Sequence, residues 1–321
     1  CRCGSGASTT KIRSHCGCFL WGGSGASWQV PRGTQSGVRL EATGHFRLRK
    51  QPVRRSVQVR VTMSFRKSNS HHLIRPHPLA GAANILLEQE RVWREKPSLR
   101  MIYASYFKMV FRHCISGNTL EIGAGSGGLK SSGYKVVSTD IAKRSTVDIV
   151  SDAQSLPFAD SSFNNIVAID VFHHIERPVR FLREAQRVLS SKGRLVMLEP
   201  GITPVSNWFY RRFHPESVDM SQDILIDGPI DNSRDPFDSN QAMGTLLATR
   251  FCEKLPIAVP GMRVRKYQWI GSLAYPLSGG FQQWCLVPQW FTRPILAMES
   301  FVDLMFGRWL AFRILIVLDK Y

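Results

Sequence analysis

The chain has 321 residues, with 42 Lys and Arg against 24 Asp and Glu, and 43% of it is apolar. That length and apolar share support a full hydrophobic core and exclude a collagen-like or wholly disordered chain. The excess of +18 does not mark a nucleic-acid binder: residues 1–62 hold 11 basic residues and one acidic one, leaving 31 against 23 for the rest.

Residues 1–62 are rich in Gly, Ser and Arg, show no sustained apolar period, and read as a disordered or extraneous extension; the first Met is Met63. Four of the seven cysteines lie there (Cys1, Cys3, Cys16 and Cys18), while Cys114, Cys252 and Cys285 are far apart. That is no disulfide framework, and it fits a reducing, cytoplasmic setting. No His or Cys stands at ligand spacing around the two C-x-C pairs, so no metal site is expected. The repeated "GSGAS" at 4–8 and 23–27 neither follows a strand nor opens a helix, and reads as low complexity.

Two helices are expected at 79–94 and 98–114, the second after Pro97. Short β-rich runs then follow: 118–123, 134–140, 147–152, 163–170 and 193–199. Between the last two, 177–190 has Val179, Leu182, Ala185 and Leu189 on one helical face, with Arg180, Arg183 and Arg187 as a solvated outer face. Near-continuous apolar strands separated by helices imply a parallel sheet covered on both sides, with ligands at the carboxyl ends of the strands.

Those strand ends carry chemistry. "LEIGAGSGG" (120–128) runs a strand into a glycine turn, where the backbone can approach a ligand closely and point N–H groups at an anion. Gly123, Gly125 and Gly128 also satisfy the dinucleotide pattern G-x-G-x-x-G, so the turn alone suits either an adenosine methyl donor or NAD(P). Asp140 ends the second strand, where a carboxylate can accept hydrogen bonds from ribose hydroxyls. Asp152 and Ala153 follow the third, and an acid there can take an adenine amino group. Asp170, Phe172, His173 and His174 follow the fourth, on the floor or rim of the cleft.

With "STDIA", "SDAQSLPFADSSFNNIVAIDVFHHIERP" and "EAQRVLSSKGRLVMLEP", these pieces resemble class I S-adenosylmethionine-dependent methyltransferases, in the group that includes small-molecule and quinone-type enzymes. The resemblance covers 118–199. It implies a Rossmann-like, doubly wound, mostly parallel seven-stranded α/β sheet with the last strand antiparallel. It also implies S-adenosyl-L-methionine as cofactor, with Glu121 and the turn Gly123, Ala124, Gly125 and Gly127 at the methionine moiety. Asp140 and Ile141 would lie at the ribose, Asp152 and Ala153 at the adenine, and Asp170 near the sulfonium. The sequence departs from the family pattern in three places: a short first helix after Gly128, Asn164 in place of Asp, and "LSSKGR" in place of a Lys-Pro-Gly-Gly turn. A proton acceptor, where one is needed, would be His173, His174 or His214. Tyr210, Arg211 and Arg212 are candidate acceptor contacts.

Further on, 222–242 is an acidic, turn-rich surface loop without EF-hand spacing. Residues 262–270 and 311–320 alternate as the final strand pair. Between them lies an apolar insert, 271–309, interrupted by Gly and Pro and not a transmembrane helix. From Pro294, residues Ile295, Met298, Val302, Met305 and Trp309 form one helical face, with Glu299 and Asp303 on the other. This helix either packs on the sheet or, with "YPLSGGFQQW", forms an apolar lid hinged at Gly279 and Gly280, suited to a hydrophobic acceptor. The expected organisation is thus an extension at 1–62, a helical segment at 63–117, and a methyltransferase domain at 118–321. The acceptor is expected to be a small molecule or lipid-linked, with no specific nucleic-acid partner and with peripheral membrane contact. The alternatives are an NAD(P)-dependent oxidoreductase and a non-enzymatic membrane-surface module.

Overall fold

The computed structural model describes residues 80–231 and 233–321, with side chains from Leu87 onward. The extension at 1–62, with its cysteines and glycine runs, lies outside the described residues, as does 63–79.

Two helices lead in, α1 (Ala80–Glu95) and α2 (Pro97–Phe111). Pro97 suits the first turn of α2, where its missing N–H has no intrahelical partner anyway. Then come β1 (Thr119–Ile122), the single turn α3 (Gly128–Ser131), β2 (Val137–Asp140), β3 (Ile149–Val150) and β4 (Phe163–Ile169). A 3₁₀ turn at Phe172–His174 leads to α4 (Pro178–Val188) and β5 (Leu189–Pro200). The remainder is α5 (Pro204–Phe213), α6 (Met243–Thr249), α7 (Leu255–Ala258), β6 (Met262–Ile270), α8 (Ala274–Ser278), α9 (Thr292–Leu310) and β7 (Arg313–Lys320).

The seven strands form one sheet in the order β3-β2-β1-β4-β5-β7-β6. Strands β1 to β5 pair in parallel, and β7 runs antiparallel between β5 and β6. Alternation along the strands divides the core in two. Leu195 and Met197 of β5 face one layer with Ile314, Ile316 and Leu318 of β7, beside α4, α6 and α7. Val196 and Leu198 face the other with Leu315 and Val317, beside α2 and α9. The edges are blunt: β3 has two residues, and β6 exposes Arg263, Arg265 and Lys266 and shifts register between Val264 and Lys266.

The sheet and its last antiparallel strand match the expectation from sequence, as does the brevity of α3. Three details differ. Leu189 opens β5 instead of ending the helix. Of the arginines expected to form a solvated face, Arg187 is only half exposed at most and holds the 156–160 loop. Its Nη1 donates to the Phe158 carbonyl at 2.7 Å and to Asp160 at 2.8 Å, and its Nη2 donates to the Leu156 carbonyl at 3.0 Å. Arg180 and Arg183 share Asp227 from the acidic loop.

The third difference is in α9, which is turned over relative to the expected face. Glu299 is buried and accepts from the N–H groups of Leu273 (2.7 Å) and Ala274 (2.6 Å), and Asp303 accepts from Gly271 (3.0 Å) and Ser272 (3.1 Å). Four backbone donors ahead of α8 have no other described acceptor, and these two carboxylates, one helical turn apart, satisfy them. Met298, Met305 and Trp309 face outward instead.

The turn after α8 is fixed from the other side. Gly279 caps α8 at φ 73°, a conformation that glycine adopts without a Cβ penalty. Lys96, at the start of α2, then donates to the carbonyls of Gly280, Gln282 and Trp284, each at 2.8 Å. The segment expected to be a hinged lid is thus tied to α2, with Tyr275 and Phe281 packed on Tyr103. Lys96→Met removes three charge-assisted donors and is expected to destabilise the fold by about 1–3 kcal/mol. Thermal unfolding measures that loss, and limited proteolysis should cut newly at 280–286.

Candidate functional site

The carboxyl ends of β1, β2 and β4 meet at one cleft. Glu121, in β1, is 7% exposed, and its Oε2 has no hydrogen-bond partner. Burial pushes its carboxyl up to about 8, with the charges of Asp140 and Asp148 adding to the effect and Lys130 opposing it. Gly123, Gly125 and Gly127 follow at φ 67°, 49° and 74°. A Cβ on Gly123 would lie 2.3 Å from Val171 and one on Gly127 2.7 Å from Thr146, so those two are packed against protein. A Cβ on Gly125 would meet open space, its nearest neighbour being the Gly123 carbonyl at 4.0 Å. The loop thus leaves room for a ligand at Gly125.

Asp140 sets the loop's position. Its Oδ2 accepts from the Gly125 N–H and its Oδ1 from the Ala142 N–H, at 2.8 and 2.9 Å. Each oxygen keeps a second lone pair, so the carboxylate can still accept from a ligand. Ile141 beside it is exposed. Asp152 is half-buried and accepts from the Gln154 N–H at 2.8 Å, and Ala153 follows it on the rim.

Asp170 sits at φ 58°, a left-handed conformation uncommon for a non-glycine residue and found at ligand clamps. Its Oδ2 accepts from Tyr103 Oη at 2.7 Å, and its Oδ1 lies 2.5 Å from Nη2 of Arg313, an ion pair outside hydrogen-bonding angles. Burial opposes the charge of Asp170, but the Arg313 guanidinium outweighs it and keeps the carboxyl below the usual range. Arg313 is 2% exposed, with the rings of Tyr275 and Tyr106 at 4.9 and 5.8 Å from its guanidinium carbon. Tyr103 also packs edge-on to the rings of Tyr106 and Tyr275.

His173 is fixed by a group the sequence reading missed. Glu199, at the end of β5, is fully buried. It accepts from the N–H groups of Val171, Phe172 and His173 at 3.1, 2.9 and 3.3 Å, and from His173 Nδ1 at 2.6 Å. A carboxylate so placed assigns the imidazole proton to Nδ1 and leaves the lone pair on Nε2, which lies 3.7 Å from Glu216. Burial works against a charge on His173, but the Glu199 bond and the nearby carboxylates raise its pKa. Its neighbour His174 is lowered by burial and by His173, and has an unpartnered Nδ1. His214 caps α5 and accepts the Glu216 N–H at Nδ1, at 3.3 Å.

The structure therefore brings together Glu121, the glycine turn and Asp140, and it brings His173 together with His174. Of the other candidate contacts, the Tyr210 hydroxyl is spent on the Phe312 carbonyl at 2.8 Å, and Arg211 and Arg212 are exposed. Glu199, Arg313 and Tyr103 went unread. An acid ending β5 and an arginine inside the apolar run 311–318 were the available signals.

His173, His174 and Glu216 each place one potential ligand atom within 4.8 Å of the others, where no metal was expected from the sequence.

Residues 120–197 match the family model of the methyltransferase domain. An uncharacterized protein of Methanocaldococcus jannaschii is 30% identical over 105 residues, 30% of this chain and 51% of that protein. A demethylmenaquinone methyltransferase of Thermotoga maritima is 51% identical over 51 residues, 16% of this chain and 22% of the relative. A ubiquinone/menaquinone biosynthesis C-methyltransferase of Paracoccus denitrificans is 33% identical over 91 residues, 28% and 34% of the two. The chain thus spans about half the length of the first relative and less of the others. Residues 120–197 are thus similar to a methyltransferase domain. A buried carboxyl without a partner and an open glycine backbone suit a ligand with a cationic and a polar end, as S-adenosylmethionine has.

The raised Glu121 carboxyl has a measurable consequence. Its folded pKa of about 8 lies above the unfolded value, so the folded state holds the extra proton between the two. Stability of the ligand-free protein should then fall as pH rises from about 4.5 to 8. In Glu121→Gln this part of the slope should vanish, as thermal unfolding across that range will measure.

Proposed function

We propose that the chain transfers a methyl group from S-adenosylmethionine to a hydrophobic small-molecule acceptor, including lipid-linked acceptors of the quinone type named for two relatives. The observation that carries this reading is the unpartnered, buried carboxyl of Glu121, in the strand that leads into the open backbone of Gly125.

When bound, the cofactor supplies a methyl group activated by its sulfonium. Glu121 would hold the methionine end, ionising as it gains a cationic partner. Gly123, Ala124, Gly125 and Gly127 would let the backbone approach. Asp140 would accept from the ribose hydroxyls while keeping the glycine turn in place, with Ile141 alongside. Asp152 and Ala153 would border the adenine. Asp170, neutralised by Arg313, would line the reacting end without adding net charge. The segment 271–309 serves as a roof that excludes water from the acceptor side and aligns it.

Where the acceptor must lose a proton from a hydroxyl, His173 fits the task better than His174 or His214. Its Nδ1 is committed to Glu199, as in a base oriented by a carboxylate, and Nε2 faces Glu216 at 3.7 Å. His174 is held neutral, and His214 spends its Nδ1 on the Glu216 N–H.

S-adenosylhomocysteine should raise the unfolding temperature and NAD should not; at about 100 times its dissociation constant a ligand adds roughly 2.7 kcal/mol. A shift with NAD alone would instead support an oxidoreductase. Asp140→Ala should weaken donor binding by about 1.5–3 kcal/mol in calorimetry, through its own lost bonds and the freed Gly125 N–H. His173→Asn should keep donor affinity and lower turnover of a hydroxyl-bearing acceptor by roughly 10²- to 10⁴-fold. Unchanged turnover would remove His173 from the chemistry.

A further inference from the structure

Helix α9 displays its apolar side chains to solvent and its carboxylates to the protein. Leu304 is 81% exposed and Phe301 64%, with Met305 and Trp309 beside them on the same face. Both acids of the helix, Glu299 and Asp303, point inward to the backbone at 271–274. Its charged residues that reach outward are Arg293 and Arg308, the latter over the Trp309 ring at 5.1 Å. A soluble helix has the reverse arrangement.

Helix α5 packs against α9 and repeats the pattern. Trp208 and Phe213 are 62% and 61% exposed, Arg211 and Arg212 are exposed, and α5 contains no acidic residue. Two neighbouring helices thus present large apolar and aromatic side chains with four arginines and no outward carboxylate. The packed pair exposes more large apolar side chains than singly scattered surface residues account for. At 19 residues, α9 is about 28 Å long, and no described helix is long and apolar enough to cross a membrane.

We propose that the outer face of α5 and α9 docks on an anionic lipid bilayer, with α9 lying in the plane of the interface. The apolar side chains would enter the headgroup boundary, the tryptophans would sit at headgroup level, and the arginines would meet lipid phosphates. The charge pattern selects this occupant: a neutral protein groove would use the apolar stripe but offer no counter-charge to the arginines, of which Arg211 donates to the Asn207 side chain and the Val218 carbonyl. Docking also bears on the acceptor. The inward carboxylates of α9 hold the segment that starts α8, and Tyr275 of α8 covers the Asp170–Arg313 pair. A hydrophobic acceptor could pass from the bilayer beneath the roof without crossing water. This last step rests on the proposed methyl transfer, whereas the docking itself rests only on the two helix faces.

Co-flotation of the full chain with vesicles of phosphatidylcholine, with and without phosphatidylglycerol, tests the docking. The expected result is binding to the anionic vesicles that weakens with salt. The variant Phe301→Ser/Leu304→Ser/Trp309→Ser should bind about tenfold or more weakly while keeping its affinity for S-adenosylhomocysteine. Arg293→Gln/Arg308→Gln should weaken binding and flatten the salt dependence. If the triple variant floats like the parent, the binding belongs to the basic residues at 1–62 and the proposal fails. It fails equally if the parent does not float, or if it forms a dimer that the triple variant abolishes, since the face would then belong to a second copy. Loss of vesicle binding with homocysteine-analogue binding intact separates this outcome from failure of the methyltransferase reading.

Discussion

Buried Arg313 and half-buried Asp170 form an ion pair on which several elements converge. Asp170 directly follows β4 and Arg313 begins β7, so the pair joins the parallel sheet to its antiparallel strand. It also reaches the covering layers: Tyr103 of α2 donates to Asp170, and Tyr275 of α8 lies over the guanidinium. Such a pair gains little net stability over apolar packing, but removing Asp170 leaves the buried Arg313 charge unpaired, at about 3–5 kcal/mol. Its value lies in fixing geometry. The left-handed backbone at Asp170 and the close packing of Gly201 and Gly271 against Arg313 persist because the surrounding contacts determine them.

In the proposed reading, the donor side and the acceptor side are built differently. The donor side is local in sequence: Glu121, the glycine turn and Asp140 span 20 residues, and backbone bonds such as Ala124 N–H to the Thr139 carbonyl hold them. The acceptor side is assembled from α2, the end of β4, α8 and β7, which are up to 210 residues apart. Glu199 links the two at the sheet. By accepting from three successive backbone N–H groups it forces the tight turn after β4, and the same carboxylate orients His173.

That difference explains what could be read from the sequence. The period-2 strands, the single-turn α3 and the strand-end acids were legible because each depends on a few adjacent residues. The inverted face of α9 was not. Periodicity places Ile295, Met298, Val302, Met305 and Trp309 near one another, but it cannot say which side meets the protein when four backbone donors at 271–274 need acceptors. The same holds for Arg187, which looks like one of three equivalent surface arginines until the 156–160 loop returns to its side. Lys96 offers no signal at all, since its three carbonyl partners lie more than 180 residues away.

The blunt rims of the sheet gain a meaning from this. A two-residue β3 offers almost no unpaired backbone, and the other rim, β6, carries three outward cations and a register break. Neither can template another strand, so growth into cross-β assemblies is blocked at both ends. Among the described residues the fold thus resists strand addition at its sheet rims while exposing the apolar faces of α5 and α9, so contacts made there would be between side chains and not backbone ladders.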